Sequence, residues 1–274
     1  MKKSVKIILI VLCYIFLCVF MFSGYKIYSI VSGYKEAGNK YTDITNQYVT
    51  TTTPTPKPSE KPKDPSATED PEATEEPEGP KYDPNVSPLS VDFDSMLTQN
   101  DDVRGWLYNP DTIVNYPVVQ SKDNDYYLYR LIDGSSNSSG SLFVDYRCAA
   151  DFSSNHTLIY GHNMKDGSML STITNYWKQD YYEEHPFMYL NTPEQNYRID
   201  LFSAYVTPAD SDAYDIYFDV GADYMAFLEK LMSRSNFDST VELTENDKIV
   251  TLSTCTYEYD NARYVVHGKL VPIS

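Results

Sequence analysis

From Ile7 to Tyr25 the chain reads IILIVLCYIFLCVFMFSGY, 19 residues without a charge. At about 1.5 Å per residue, such a run as a helix crosses a hydrocarbon layer roughly 30 Å thick. A cleaved signal peptide usually has an apolar core of only about 7–15 residues and a small-residue cleavage site. Here the run is too long, and no A-x-A pattern follows it. Lys2, Lys3 and Lys6 precede the run and a strongly acidic chain follows, which sets the N-terminus in the cytoplasm and the remainder outside. The reading is a cytoplasmic tail over residues 1–6 and a single-pass signal anchor in the cell membrane with its juxtamembrane segment over 7–31.

An extracellular segment over 32–88 ends in a second low-information stretch. Thr51 to Pro88 holds ten of the sixteen prolines and almost no large apolar residue. Such a composition buries too little surface to offset the entropy of ordering, and its prolines favour extended polyproline II. At about 3.1 Å per residue it is expected to act as a stalk on the order of 100 Å long. An autoinhibitory lid over the domain is the other physical possibility. One folded domain, 89–274, is left to carry function.

The net charge is −17 and the pI near 4.5, which excludes nucleic acid and anionic lipid as charge-matched partners. No glycine-rich phosphate loop, dinucleotide fingerprint or His/Cys cluster at metal spacing occurs, so no cofactor and no metal are expected. Cys13 and Cys18 belong to the apolar run, leaving Cys148 and Cys255 outside the membrane. These two are compatible with one disulfide, or with a buried Cys148 after the apolar run SLFVDYRC and a free Cys255.

Phe93, Leu97, Val103 and Trp106 stand near helical spacing with a break at Asn100, which predicts two short helices. Beyond them the pattern is mainly of period two: TIVNYPVVQ, GSLFVDYRC, HTLIYGH, FMYLN, YRIDLFSAYVT, KIVTLSTC and RYVVHGKLVPI. Turn clusters such as DGSSNSSG separate the runs. The expected fold is mostly β, a closed or nearly closed barrel of seven to eight strands. A late helix at ADYMAFLEKLMSRS, with Met225, Leu228, Leu231 and Met232 on one face, precedes the cysteine strand, and another helix is expected at SMLSTITNYW.

Cys255 lies at the mouth of its apolar run rather than inside it, with Arg263 opening the next. If the two runs are antiparallel neighbours, the loop ends face each other with Cβ atoms roughly 5 Å apart. A cation beside a thiol favours the thiolate and remains available for a developing oxyanion. The same spacing equally describes a plain hairpin with a surface arginine. Of four histidines, His156 begins a strand, His185 sits in a polar loop and His267 lies within the last strand. His162 follows TLIYG at a strand's mouth and is the best-placed proton carrier.

TLSTC with Arg263 eight residues on, and YGHN upstream, resembles the sortase family of cysteine transpeptidases. The stretches NDDVRGWLYNPDTIVNYPVVQ, GSLFVDYRC and GHNMKDGSML resemble its class B, and the likeness runs from about Ser90 to Ser274. It implies a sortase-type barrel, with Cys255 as nucleophile, His162 as acid/base and Arg263 holding the substrate carbonyl. It further implies that Ser253, Thr254, Asn124 and Leu128 line a peptide groove. The implied partners are secreted proteins with a C-terminal sorting pentapeptide and an amine of the peptidoglycan precursor or cross-bridge. A class B pilin polymerase is the alternative within the family. A papain-like hydrolase has its cysteine before its histidine, the reverse of this order. A non-enzymatic wall adhesin would explain the first 90 or so residues but not three polar groups at strand ends.

Overall fold

In an apolar medium every backbone amide must find its partner within the segment, and a helix achieves this. The computed structural model, which describes residues 3–52 and 83–274, carries such a helix, α1, over Lys3–Tyr48. It is the one helix among the described residues that is long and apolar enough to cross a membrane, and large apolar side chains such as Phe16, Phe20 and Ile27 stand exposed along it. α1 does not stop at residue 31. Ala37, Tyr41, Ile44 and Tyr48 recur at helical spacing and are buried against the following domain.

β1 (Val49–Thr51) continues from α1 and pairs antiparallel with β2 (Leu89–Val91), Val49 opposite Val91. The Thr52 amide also donates to Pro88 O at 2.8 Å. The described ends of the proline-rich stretch are thus bonded to each other, and the stalk expected over Thr51–Pro88 falls on residues 53–82, which lie outside the described residues. The apolar stripe of α1, packed on the domain, brings β1 beside β2.

α2 (Phe93–Gln99) begins at Asp92, whose carboxylate accepts from the Ser95 amide at 3.1 Å. The second helix expected beside it is instead a strand, β3 (Val103–Tyr108). Trp106 there is fully buried and pairs with Pro117 on one side and Asn191 on the other. Sheet pairing on both edges outweighs a helical spacing that Gly105 already weakens by about 1 kcal/mol.

The remaining strands are β4 (Asn115–Val119), β5 (Leu142–Val144), β6 (His156–Tyr160), β7 (Phe187–Asn191), β8 (Asn196–Pro208), β9 (Ile249–Cys255) and β10 (Ala262–Ile273). With β3 they close into an eight-stranded barrel in the order β10-β8-β7-β3-β4-β5-β6-β9. Pairing is antiparallel except for β4 with β5 and β6 with β9. Leu142, Leu158, Ile199 and Val266 are fully buried in the core, where each large apolar side chain contributes about 1.5–3 kcal/mol.

The helix expected at SMLSTITNYW forms a 3-10 helix, Ser171–Trp177. Leu170, Ile173 and Tyr176 are buried at spacings of three, which suits three residues per turn. An unforeseen short helix, α3 (Gln179–Glu184), follows it. The late helix forms as α4 (Ala222–Ser233), but its buried face is Tyr224, Phe227, Leu228 and Leu231, leaving Met225 and Met232 partly buried at the margin.

Candidate active site

The parallel pairing of β6 with β9 sends both strands out of the same end of the barrel, with Tyr160 opposite Ser253. His162 and Cys255 each lie two residues beyond that pair. β10 runs back antiparallel to β9, and Arg263 is the direct partner of Cys255. Three distant sequence positions therefore reach one rim because strand direction and register leave them no alternative. Gly161 permits the crossing, since a Cβ there would stand 2.4 Å from Leu142 Cδ2.

Two hydrogen bonds fix the histidine turn. Asn163 donates through Nδ2 to the Cys255 carbonyl at 2.9 Å, tying the end of β6 to the end of β9. His162 bonds through Nε2 to the Leu128 carbonyl at 2.7 Å. A carbonyl only accepts, so the proton sits on Nε2 and the neutral ring keeps its lone pair on Nδ1. The ring also lies 5.9 Å from that of Tyr129. The Arg263 guanidinium donates to the Ala262 carbonyl at 3.0 Å, and no carboxylate neutralises it among the described residues.

All seven residues singled out in the sequence, Cys255, His162, Arg263, Ser253, Thr254, Asn124 and Leu128, line one cleft of about 480 Å³. The four groove residues already have partners in its wall. Ser253 Oγ lies 2.9 Å from the Tyr214 hydroxyl, and Thr254 donates to Gly161 O at 2.7 Å. The Asn124 amide donates to Asp145 at 3.0 Å and accepts from the Tyr146 amide at 3.1 Å. Leu128 contributes its backbone carbonyl to His162.

Sequence reasoning missed the rest of the wall. Tyr214, with its hydroxyl pushed up to about 12 by burial despite the Ser253 bond, comes from the connection after β8. Asp145 is fully buried, yet hydrogen bonds from Arg147, Tyr160 and Asn124 overcome burial and hold its carboxyl below the ordinary range. Arg147 pairs with it at 2.8 Å, which leaves one cation with its counter-ion at the edge of the cleft. Their sequence signal, DYR after an apolar run, was in view but gave no sign of being turned toward the cysteine.

Cys148 is buried, its thiol pushed up to about 11 by burial, whereas Cys255 is half-buried in the cleft; both are free. His156 and His267 are fully buried in the barrel, and His185 does not line the cleft. One thiol, one histidine and an arginine without an ion-pair partner among the described residues thus share a rim open to solvent, an arrangement suited to nucleophilic acyl transfer.

A family model described as the sortase domain matches residues 107–271. Sortase B of Listeria monocytogenes serovar 1/2a is 40% identical over 174 residues, 63% of this chain and 71% of the relative. Sortase B of Staphylococcus aureus strain NCTC 8325 is 33% identical over 196 residues, 71% of this chain and 79% of the relative. The solved Staphylococcus aureus sortase B–substrate complex superposes with a TM-score of 0.64 at 33% identity, covering 66% of this chain and 85% of that one.

Proposed function

The chain belongs to the sortase family of cysteine transpeptidases, and from that premise we propose that Cys255 is its nucleophile, His162 its acid/base and Arg263 the holder of the substrate carbonyl. What supports the reading is the register that pairs Cys255 with Arg263 and sets His162 on the adjoining parallel strand at the same rim. The wall-adhesin alternative falls with family membership.

His162 Nδ1 takes the proton of the Cys255 thiol, the resulting thiolate attacks the carbonyl carbon of a threonine in a C-terminal sorting pentapeptide, and the carbonyl electron pair moves to oxygen. Arg263, with donors to spare, stabilises that oxyanion. As the intermediate collapses, the C–N bond breaks and imidazolium His162 gives its Nδ1 proton to the leaving amine. An amine of the peptidoglycan precursor or cross-bridge then attacks the thioester and loses its proton to the same nitrogen. Cys255 leaves and a new amide forms. The Leu128 carbonyl, bonded to Nε2, holds the ring in one orientation through both steps.

We read α1 as a single-pass anchor with the N-terminus cytoplasmic, following its lysine flank. Seven residues, 26–32, separate the apolar run from Gly33, whose carbonyl accepts from Asn137 Nδ2, which as helix is a spacing of roughly 10 Å. The deciding experiment supplies a pentapeptide panel and an amine acceptor to the detergent-solubilised chain, with a methanethiosulfonate probe in parallel. Arg263→Lys is expected to lower turnover about 10²-fold, as for loss of an oxyanion donor. Labelling of Cys255 no faster than Cys148, or full turnover by Arg263→Lys, would remove the assignment.

A further inference from the structure

The described end of the anchor helix touches the barrel at a chemically suggestive place. Tyr41, 5% exposed, donates its hydroxyl to Gly140 O at 2.6 Å and lies 3.0 Å from Ser141 Oγ. Gly140 takes φ +57°, and a Cβ there would stand 2.6 Å from Leu128 O and 2.8 Å from Tyr127 O. Its backbone therefore presses directly on the two carbonyls of the turn that carries Leu128. The Ser141 amide holds the same turn by donating to Tyr127 O at 3.0 Å. Leu128 O, fixed from this side, is the acceptor for His162 Nε2.

A second route leads from the same tyrosine to the same histidine. The Tyr41 ring meets Tyr116 edge-on, centroids 5.2 Å apart at 86°. The Tyr116 hydroxyl accepts from the Met169 amide at 3.1 Å. Next in the chain, the Leu170 amide donates to the His162 carbonyl at 3.0 Å. One route ends on the imidazole and the other on the backbone of that residue.

We propose that Tyr41 of the anchor helix is a positioning residue for His162, setting the orientation of its ring through Gly140 and the Leu128 carbonyl. The membrane segment is then part of the catalytic apparatus and more than a tether. This inference rests on the acid/base role proposed for His162. A carbonyl has two lone pairs and a soft hydrogen-bond direction, so a shift of the turn leaves the His162 bond intact but changes where Nδ1 lies in the cleft it shares with Cys255. Such a fault lowers the rate of proton transfer and leaves peptide binding nearly alone.

The test compares variants of the full chain in one detergent. Tyr41→Phe keeps the ring and removes only the hydroxyl; kcat is expected to fall about fivefold, the worth of one neutral hydrogen bond, with KM for the peptide unchanged. Lys40→Ala removes the adjacent ion pair with Asp133 (2.6 Å), loosening the same docking without touching Gly140, and is expected to keep kcat within about twofold. Wild-type kcat in Tyr41→Phe overturns the inference. So does an equal kcat loss in both variants that follows their melting temperatures, since that is what a mere prop would give. Turnover surviving His162→Ala would overturn the inference together with the acid/base role. An inactive His162→Ala beside an unimpaired Tyr41→Phe overturns the inference alone.

Discussion

The mouth and the floor of the β9–β10 pair use the same residue types to opposite ends. At the mouth, Cys255 faces Arg263; four residues lower, Thr251 faces His267, roughly 13 Å down the strand. On the floor, every bond has a forced direction. The Asp215 carbonyl must accept, so His156 donates from Nδ1 at 2.6 Å and accepts at Nε2 from Thr251, also at 2.6 Å. Thr251 Oγ1 in turn accepts from His267 Nδ1 at 2.7 Å. Burial pulls His156 down to about 4, against its bond to Asp215. His267 falls well below its ordinary value through burial, then through His156 and Arg234. Both rings are neutral and locked. At the mouth, His162 has one nitrogen bonded and the other carrying a lone pair in an open cleft. On the floor only His156 has both ring nitrogens bonded; His267 is bonded at Nδ1, with Nε2 buried and without a hydrogen-bond partner. A histidine sealed inside the fold holds the wall; one left half-open to a cleft can move a proton.

The sharpest break of this comparison is Cys255→Ala. It should cost about 10³-fold or more in turnover, while the melting temperature stays within about 1–2 °C, since the side chain is half-buried at a strand end. Measurable transfer by this variant, or a large loss of stability, would blur mouth into floor.

Acid should act first on the floor. Unfolded, His156 binds a proton below its ordinary 6.5; folded, only below about 4. Between these values the unfolded state holds more protons, so stability falls as pH falls through that window, by about 3 kcal/mol in all. Asp212 is different: hydrogen bonds from Arg234 and Lys230 hold it near 2 against burial, so its contribution is lost only between 3.8 and about 2. Urea unfolding at stepped pH checks this, and a flat profile from 7 to 4 would show that the histidines are not neutral in the fold.

Thr251→Val keeps shape but leaves His156 Nε2 without its donor and His267 Nδ1 without its acceptor. About 2 kcal/mol of stability should go, with turnover per folded molecule unchanged. A turnover loss exceeding the stability loss would mean that the floor takes part in chemistry. The smallest effect is expected from Ser253→Ala, which frees the Tyr214 hydroxyl at the junction of the two regions. Turnover should drop two- to tenfold, corresponding to about 0.5–1.5 kcal/mol; a loss as large as that of Arg263→Lys would give Ser253 a direct part at the oxyanion.

Much of the barrel was legible because alternation of period two survives in each strand, KIVTLSTC and RYVVHGKLVPI most plainly. Val103–Tyr108 was misread because what holds it as a strand is pairing on both edges, with β4 across a short connection and with β7 far along the chain, and the spacing within the segment carries no trace of either. In the cleft, side chains flanking TLSTC and YGHN were found from position at strand ends. The Leu128 carbonyl that orients His162 was not, since a backbone acceptor has no residue signature. Tyr214 and Arg147 look like any tyrosine and arginine until the connections bring them round the rim.

By itself the sequence determined what local chemistry determines: a 19-residue charge-free run long and apolar enough to cross a bilayer, a strand pattern that closes a barrel, and a cysteine and arginine held opposite by a short hairpin. The sequence singled out His162 by its place at a strand's mouth, but only the tertiary structure put it on one rim with Cys255, because that follows from the parallel register of β6 on β9, a contact between positions about a hundred residues apart. It also decided that α1 docks on the domain and that β1 pairs with β2. Docking depends on the stripe of Ala37, Tyr41, Ile44 and Tyr48 finding a complementary surface, and the free energy of that burial belongs to both surfaces and to neither sequence segment alone.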